Sequence, residues 1–150
     1  GIDTIDAAGG DNEIYAGDGD DIVTTGNGNN LVYAGGGADQ VTTGSGDDSV
    51  YGSTGNDQIV TGDGDDYIEA WLGDDTIDAG DGINEIYAGG DYDNVTTGSA
   101  ADLIFLGSGD DTATAGAGDD QITGGSGTDT ADGGPGTDTC YGVENATNCE

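Results

Sequence analysis

A nine-residue repeat runs through almost the whole of this 150-residue chain and limits the folds that it can adopt. Counting position one from Ala7, fifteen full units extend without insertion or deletion to Tyr141. Positions two and four are mostly Gly, and position eight is mostly Ile or Val. Gly supplies the backbone conformations of a tight turn, whereas β-branched residues favour strands. Each unit therefore predicts a turn followed by a short strand.

A single unit of this kind cannot bury its one large apolar residue, so the units must pack against one another. Two units back to back make a coil of 18 residues, and successive coils stack as parallel strands about 4.8 Å apart. The chain length then predicts an all-β stack of about eight coils, forming a rod roughly 40 Å long by that spacing. We expect its core to be a double row formed by the position-eight side chains.

The charge of the chain requires positive charge from outside it. There are 32 Asp and Glu residues and no Lys, Arg or His, giving a formal net charge of −32. A compact state would suffer severe self-repulsion, and no side chain can offset it. The same sign disfavours nucleic acid and anionic membranes as direct partners. No side chain offers a nucleophile paired with a base, so we expect no enzyme activity.

Position six carries Asp or Asn in every unit, and 18-residue intervals separate these residues into two edges of the stack. The all-Asp edge consists of Asp3, Asp21, Asp39, Asp57, Asp75, Asp93, Asp111 and Asp129. The mixed edge consists of Asn12, Asn30, Asp48, Asp66, Asn84, Asp102, Asp120 and Asp138. Carboxylates one strand spacing apart repel one another strongly unless cations lie between them.

Calcium is the cation that suits such edges. It takes six to eight oxygen ligands, accepts carboxylates and backbone carbonyls together, and tolerates irregular geometry. Zn²⁺ and Cu²⁺ lack their usual ligands, because the chain has no His and only two Cys. Seven gaps between eight coils on each edge predict up to about 14 calcium ions, whose charge of about +28 would nearly offset the carboxylates.

The units at residues 62–69 and 125–132 resemble the repeats-in-toxin (RTX, haemolysin-type) calcium-binding nonapeptide, GGxGxDxUx. The resemblance covers essentially the whole chain. It implies a right-handed parallel β-roll in which Ca²⁺ lies between adjacent turns, bound by the position-six Asp and by turn carbonyl groups. It also implies folding that awaits extracellular calcium.

Two kinds of position depart from that pattern. Asn12, Asn30 and Asn84 replace the position-six Asp, and their amide oxygens would ligate calcium without charge. Asp91 and Ala100 replace the Gly of position four in the turns that lead to Asp93 and Asp102.

The outward-pointing residues make two unlike faces. One face carries the row of position-nine residues, which Glu69 interrupts. The aromatic members of this row are Tyr15, Tyr33, Tyr51, Tyr87, Phe105 and Tyr141. Stacked aromatic residues stabilise strand ladders, and the alternative is a contact strip for a partner. Trp71 and Leu72 stand where Gly is usual in a turn, and they either pack locally over Gly89 and Gly90 or anchor a partner.

The C-terminal residues depart from the repeat. We divide the chain into a calcium-binding roll, residues 1–141, and a C-terminal cap, residues 142–150. Cys140 and Cys149 both fall at position eight, and a disulfide between them would close the end of the rod. Two Cys in an otherwise Cys-free acidic chain favour an oxidising, extracellular setting. Sequons at Asn94 and Asn145 are short enough to arise by chance.

The leading hypothesis is an extracellular calcium-stabilised rod, acting as a spacer, a surface-layer component or a fibre subunit. The unpaired N-terminal end of a solenoid requires either an upstream domain or another copy stacked head to tail. The second hypothesis is a C-terminal, calcium-triggered folding module of a larger secreted toxin, enzyme or adhesin. The third is an ice-binding solenoid with a Thr row on its other face, although Val60, Asp78 and Asp132 break that row.

Overall fold

The computed structural model describes residues 1–150 and consists of strands and turns. No helix in it is long and apolar enough to cross a membrane. The strands alternate between two parallel sheets as the chain advances. The nine-stranded sheet contains β1 (Thr4–Ala7), β3 (Ile22–Thr25), β5 (Gln40–Thr42), β7 (Gln58–Val60), β9 (Thr76–Asp78), β11 (Asn94–Thr96), β13 (Thr112–Thr114), β15 (Thr130–Asp132) and β17 (Asn145–Thr147). The eight-stranded sheet contains β2 (Glu13–Asp18), β4 (Leu31–Gly36), β6 (Ser49–Thr54), β8 (Tyr67–Leu72), β10 (Glu85–Gly90), β12 (Leu103–Ser108), β14 (Gln121–Ser126) and β16 (Thr139–Tyr141).

Neighbouring strands pair in a register of 18 residues throughout the repeats. Val23 lies opposite Val41 in the nine-stranded sheet, and Ile86 lies opposite Ile104 in the eight-stranded sheet. The register keeps each repeat position in one column along the rod. The predicted all-β solenoid of about eight 18-residue coils is confirmed.

The core lies between the two sheets and contains more columns of buried residues than the sequence predicted. The position-eight residues from Val23 to Ile122 are fully buried, as expected. A second buried column comes from position one, where Ala34, Ala88 and Leu106 are also fully buried. The strands of the eight-stranded sheet continue past position nine, and residues two apart in a strand point to the same face. Position one therefore joins position eight in the core.

Non-glycine residues occupy left-handed backbone conformations at four of the turns. Position two has φ of 91° at Ser53 and 85° at Trp71, and position four has φ of 84° at Asp91 and 105° at Ala100. At Gly37, also in position four, φ is 136°, and an added Cβ would lie 2.3 Å from the carbonyl oxygen of Gly19. The close stacking of successive turns explains why Gly recurs there.

The last coil is three residues shorter than the others. Ala131 pairs with Ala146, which is a register of 15 residues, so Ala146 and not Cys149 takes position eight. The prediction that Cys149 occupies a core position is therefore wrong. Only two residues, Gly142 and Val143, link position nine to the next position six, where the repeats use five. Cys149 lies beyond β17 and forms a disulfide with Cys140, with a Cα–Cα distance of 5.7 Å.

Candidate calcium sites

The position-six side chains hold successive turns together along both edges. The backbone N–H of Asp57 donates to Asp75 Oδ1 at 2.7 Å, and that of Asp48 donates to Asp66 Oδ1 at 2.8 Å. The same bond joins Asp3 to Asp21 at one end of the rod and Asp120 to Asp138 near the other. One carboxylate oxygen of each Asp from Asp21 onward is therefore satisfied by the preceding coil.

The other carboxylate oxygen of these residues is buried without a partner. Twelve Asp Oδ2 atoms have no hydrogen-bond donor, and Thr25 Oγ1 is the one further buried side-chain atom in this condition. Seven belong to the all-Asp edge: Asp21, Asp39, Asp57, Asp75, Asp93, Asp111 and Asp129. Five belong to the mixed edge: Asp48, Asp66, Asp102, Asp120 and Asp138. A buried acceptor without a partner costs about 1–3 kcal/mol, and more when it is charged.

The asparagine turns show what these oxygens face. Asn30 has the shape of an Asp, and its Oδ1 likewise accepts a bond from the preceding coil. Its Nδ2 lies 2.7 Å from the carbonyl oxygen of Gly28 and 3.3 Å from that of Gly26. In an Asp turn of the same form, Oδ2 takes the place of this nitrogen. A carboxylate oxygen and two carbonyl oxygens then face one another, an arrangement that a cation between them would stabilise.

Burial makes the charged form of these carboxyl groups costly. It raises the pKa of Asp75 and of Asp93 to about 7, and the pKa of Asp57 and of Asp120 to about 6. The hydrogen bond from the preceding backbone N–H opposes this rise without cancelling it. Without a cation, the turns therefore bind protons much more readily than free Asp does.

The donor set fits calcium. No cluster of three or more Asp, Glu, His or Cys side chains surrounds one point. The candidate ligands of an Asp turn are therefore its buried position-six carboxylate and the backbone carbonyls. Oxygen ligands of these two kinds are what Ca²⁺ takes, and the sites are free of nitrogen and sulfur donors that would favour Zn²⁺. Between adjacent coils, Asp side chains would supply charge while the Gly-rich turns supply neutral oxygens.

The predicted position-six residues are not all alike in the structure. Asp93 and Asp102 are buried with unpartnered Oδ2 atoms, although Asp91 and Ala100 precede them at position four. Asp3 is exposed, and Asn12 is partly exposed. The Asn side chains of the mixed edge are hydrogen-bonded through their amides.

Two sets of acidic residues were missed by the sequence reasoning. Glu144 stands in the shortened coil at the place of position six, and its Oε2 accepts the backbone N–H of Asp129 at 2.9 Å. Exposed position-five residues also link coils, as where Asp65 Oδ1 accepts the N–H of Ile83 at 2.8 Å. The three-residue deletion hides Glu144 from a strict nine-residue count. The position-five signal is the Asp or Asn that recurs next to position six.

The aromatic row on the eight-stranded sheet is continuous over six rings. Tyr15, Tyr33 and Tyr51 stack with centroids 4.8–4.9 Å apart, and Tyr87 stacks on Phe105 at 4.8 Å. The interruption predicted at Glu69 is bridged by Tyr67, which is tilted and lies 5.9 Å from the ring on either side. Tyr67 is two residues before Glu69 in β8, so both side chains point to the same face.

Trp71 and Leu72 remain exposed beside this row. Trp71 donates from Nε1 to Glu69 Oε2 at 2.9 Å, and Tyr67 donates its hydroxyl to the other oxygen of Glu69. Trp71, Leu72 and Tyr87 line a depression of about 410 Å³ over Gly89 and Gly90. The indole is therefore positioned by local contacts, while 58% of its surface stays exposed.

Comparison with known proteins agrees with this geometry. A family model for the RTX calcium-binding nonapeptide repeat (4 copies) matches residues 1–32, 20–50, 51–86, 78–113 and 106–140. No curated protein and no solved structure matches the chain. The matched segments include nearly all of the repeats and both rows of position-six residues. The chain belongs to the family of RTX calcium-binding nonapeptide repeat proteins, and its fold is a calcium-binding β-roll.

Proposed function

We propose that this chain is an extracellular structural rod, a spacer that calcium stiffens by closing the gaps between its turns. The observation that carries the proposal is the set of twelve buried, unpartnered Asp Oδ2 atoms on the two edges of one stack. Because these atoms run along the rod, calcium would act on the whole length and not on one local site.

The architecture supports a mechanical role. Every strand of the rod pairs only with the strands one coil away, so rigidity depends on each successive interface. Without calcium, charge repulsion acts at the same interfaces that the strand ladders hold together. Calcium sites of extracellular modules have dissociation constants of about 10⁻⁴–10⁻³ M, which suits secretion before folding.

The last coil bears on how the rod could contact other copies. Between β15 and β17, the register of 15 residues breaks the columns that a copy stacked on this coil would have to continue. The disulfide between Cys140 and Cys149 holds this last coil in place. We therefore favour lateral contacts through the aromatic row over growth by stacking on this coil.

A calcium titration of the chelated chain tests the proposal. We expect β-structure by circular dichroism to appear with calcium, and the radius of gyration to fall from about 40 Å to about 15 Å, the scaling values for unfolded and compact chains of this length. Mg²⁺ at equal concentration is the control, because it prefers octahedral sites rich in water. A chain that keeps its full β-structure and its small radius in excess chelator would refute the proposal.

A further inference from the structure

Three turns of the mixed edge hold a side-chain amide where the Asp turns hold an unpartnered oxygen. In each, the orientation of the amide is determined by its surroundings. On one side, the backbone N–H of Asp66 donates to Asn84 Oδ1 at 3.1 Å, so the amide oxygen must lie there. On the other side, Asn84 Nδ2 donates to the carbonyl oxygens of Gly80 and Gly82, so the amide nitrogen must lie there. If the amide were reversed, its NH₂ group would face the Asp66 N–H, and its oxygen would face the two carbonyl oxygens.

The amide nitrogen contacts the carbonyl groups that would otherwise be available to a cation. Asn84 Nδ2 lies 3.1 Å from the oxygen of Gly82 and 3.4 Å from that of Gly80. Asn12 Nδ2 lies 2.7 Å from the oxygen of Gly10 and 3.1 Å from that of Ala8. These are positions four and two of each turn.

Two of the three amides, those of Asn12 and Asn30, also reach across the gap to the next coil. Asn12 Nδ2 donates to Asn30 Oδ1 at 2.9 Å, and Asn30 Nδ2 donates to Asp48 Oδ1 at 2.9 Å. Each of these nitrogens therefore touches oxygens of its own turn and of the following turn. A calcium ion between the turns would have to make those same contacts.

We propose that Asn12, Asn30 and Asn84 replace calcium with their own amides, so that three of the gaps on the mixed edge close without an ion. The Nδ2 hydrogens fill the space between the carbonyl groups, and calcium needs those oxygens at 2.3–2.6 Å. Admitting an ion would require the amide to reverse and to lose its hydrogen bonds. The proposal rests on calcium binding by the neighbouring Asp turns, and it departs from the expectation that these Asn ligate.

The two edges of the rod then respond differently to calcium. The all-Asp edge keeps an unpartnered oxygen in seven consecutive coils, from Asp21 to Asp129. On the mixed edge, the first two gaps are closed by amides, and Asn84 separates Asp48 and Asp66 from the Asp residues that follow. Twelve buried, unpartnered Asp oxygens remain along the stack as candidate calcium ligands. Three gaps of the mixed edge then need no ion of their own.

Counting bound ions by native mass spectrometry tests the proposal. We expect Asn84→Asp to bind one ion more than the unmodified chain, and to need more calcium to fold because it adds a buried carboxylate. The matched control is Asn56→Asp, the same change at an exposed turn position, which should leave the number of ions unchanged. Conversely, Asp66→Asn should bind one ion fewer and fold at a lower calcium concentration, whereas Asp65→Asn in the same turn should lose none.

A further variant covers the case in which Asn84→Asp fails to fold. Asn84→Ala removes the amide, and we expect the number of bound ions not to fall. An ion lost from Asn84→Ala, or an unchanged number of ions in a folded Asn84→Asp, would overturn the proposal. An unmodified chain that binds no calcium would instead refute the proposed function, so the two failures are distinguishable.

Discussion

Replacing Ala100 by Gly should stabilise the rod, although it removes a methyl group and adds backbone freedom. Ala100 has φ of 105°, a region that residues with a Cβ rarely adopt. The equivalent residue one coil earlier, Gly82, has φ of 125°, and an added Cβ there would lie 1.9 Å from the oxygen of Gly64. Ala100 therefore carries strain that the repeat elsewhere avoids with glycine.

The magnitude follows from two opposing terms. An L-residue in such a conformation costs about 1–3 kcal/mol. Glycine loses more backbone entropy on folding, which costs about 0.5–1 kcal/mol relative to Ala. The net gain for Ala100→Gly is about 1 kcal/mol. For a domain of this size, that corresponds to a rise in Tm of about 2–4 °C.

Thermal unfolding in saturating calcium, followed by circular dichroism, measures this change. The neighbouring substitution Ala101→Gly is the control, because Ala101 is exposed and its φ is not positive. It should lower stability by about 0.5–1 kcal/mol, since it adds entropy without relieving strain. If both substitutions lower Tm, the strain at Ala100 is absent and the reasoning is refuted.

Three further predictions concern other parts of the rod. With excess chelator, β-structure should be lost at pH 7.5 and should partly return toward pH 5. Burial raises the pKa of Asp75 and of Asp93 to about 7. The calcium-free fold therefore takes up protons in this range that the unfolded chain does not. Its stability then falls as the pH rises from about 4 to about 7, and a flat dichroism signal over that range would contradict this. Reducing the Cys140–Cys149 disulfide should cost about 2–3 kcal/mol, and hydrogen exchange should show faster exchange in β16 and β17 only. Faster exchange in β8 as well would argue against a local role. Tyr67→Ala should lower the unfolding free energy by about 1–3 kcal/mol, since it removes two ring contacts as well as buried area. Tyr141→Ala, an exposed ring outside the continuous row, should cost less in the same denaturant titration.

The repeat made much of the fold predictable. A period of nine with one apolar strand residue permits burial only by stacking, and two units complete one coil. The sign of the charge required cations, and reading position six at 18-residue intervals separated the all-Asp edge from the mixed edge. These features depend on which residues share a column, and the period alone determines that.

Other features depend on contacts between coils that the nine-residue count does not contain. Tyr67 bridges the row at Glu69 because two residues of one strand reach the same face, so a gap in one column is filled from another. Glu144 takes the place of position six because a three-residue deletion restores the pairing of β15 with β17. The strict nine-residue count instead placed Cys149 at position eight of this coil, where the structure has Ala146.

The sequence by itself determined that this chain is a stack of calcium-binding turns, since periodicity and charge are properties of the chain. Tertiary structure decided which side-chain oxygens are left without a hydrogen-bond partner. An Asp and an Asn occupy the same column and have nearly the same shape. Only the neighbouring atoms, a backbone N–H on one side and carbonyl oxygens on the other, leave the Asp oxygen without a partner and give the Asn amide its hydrogen bonds.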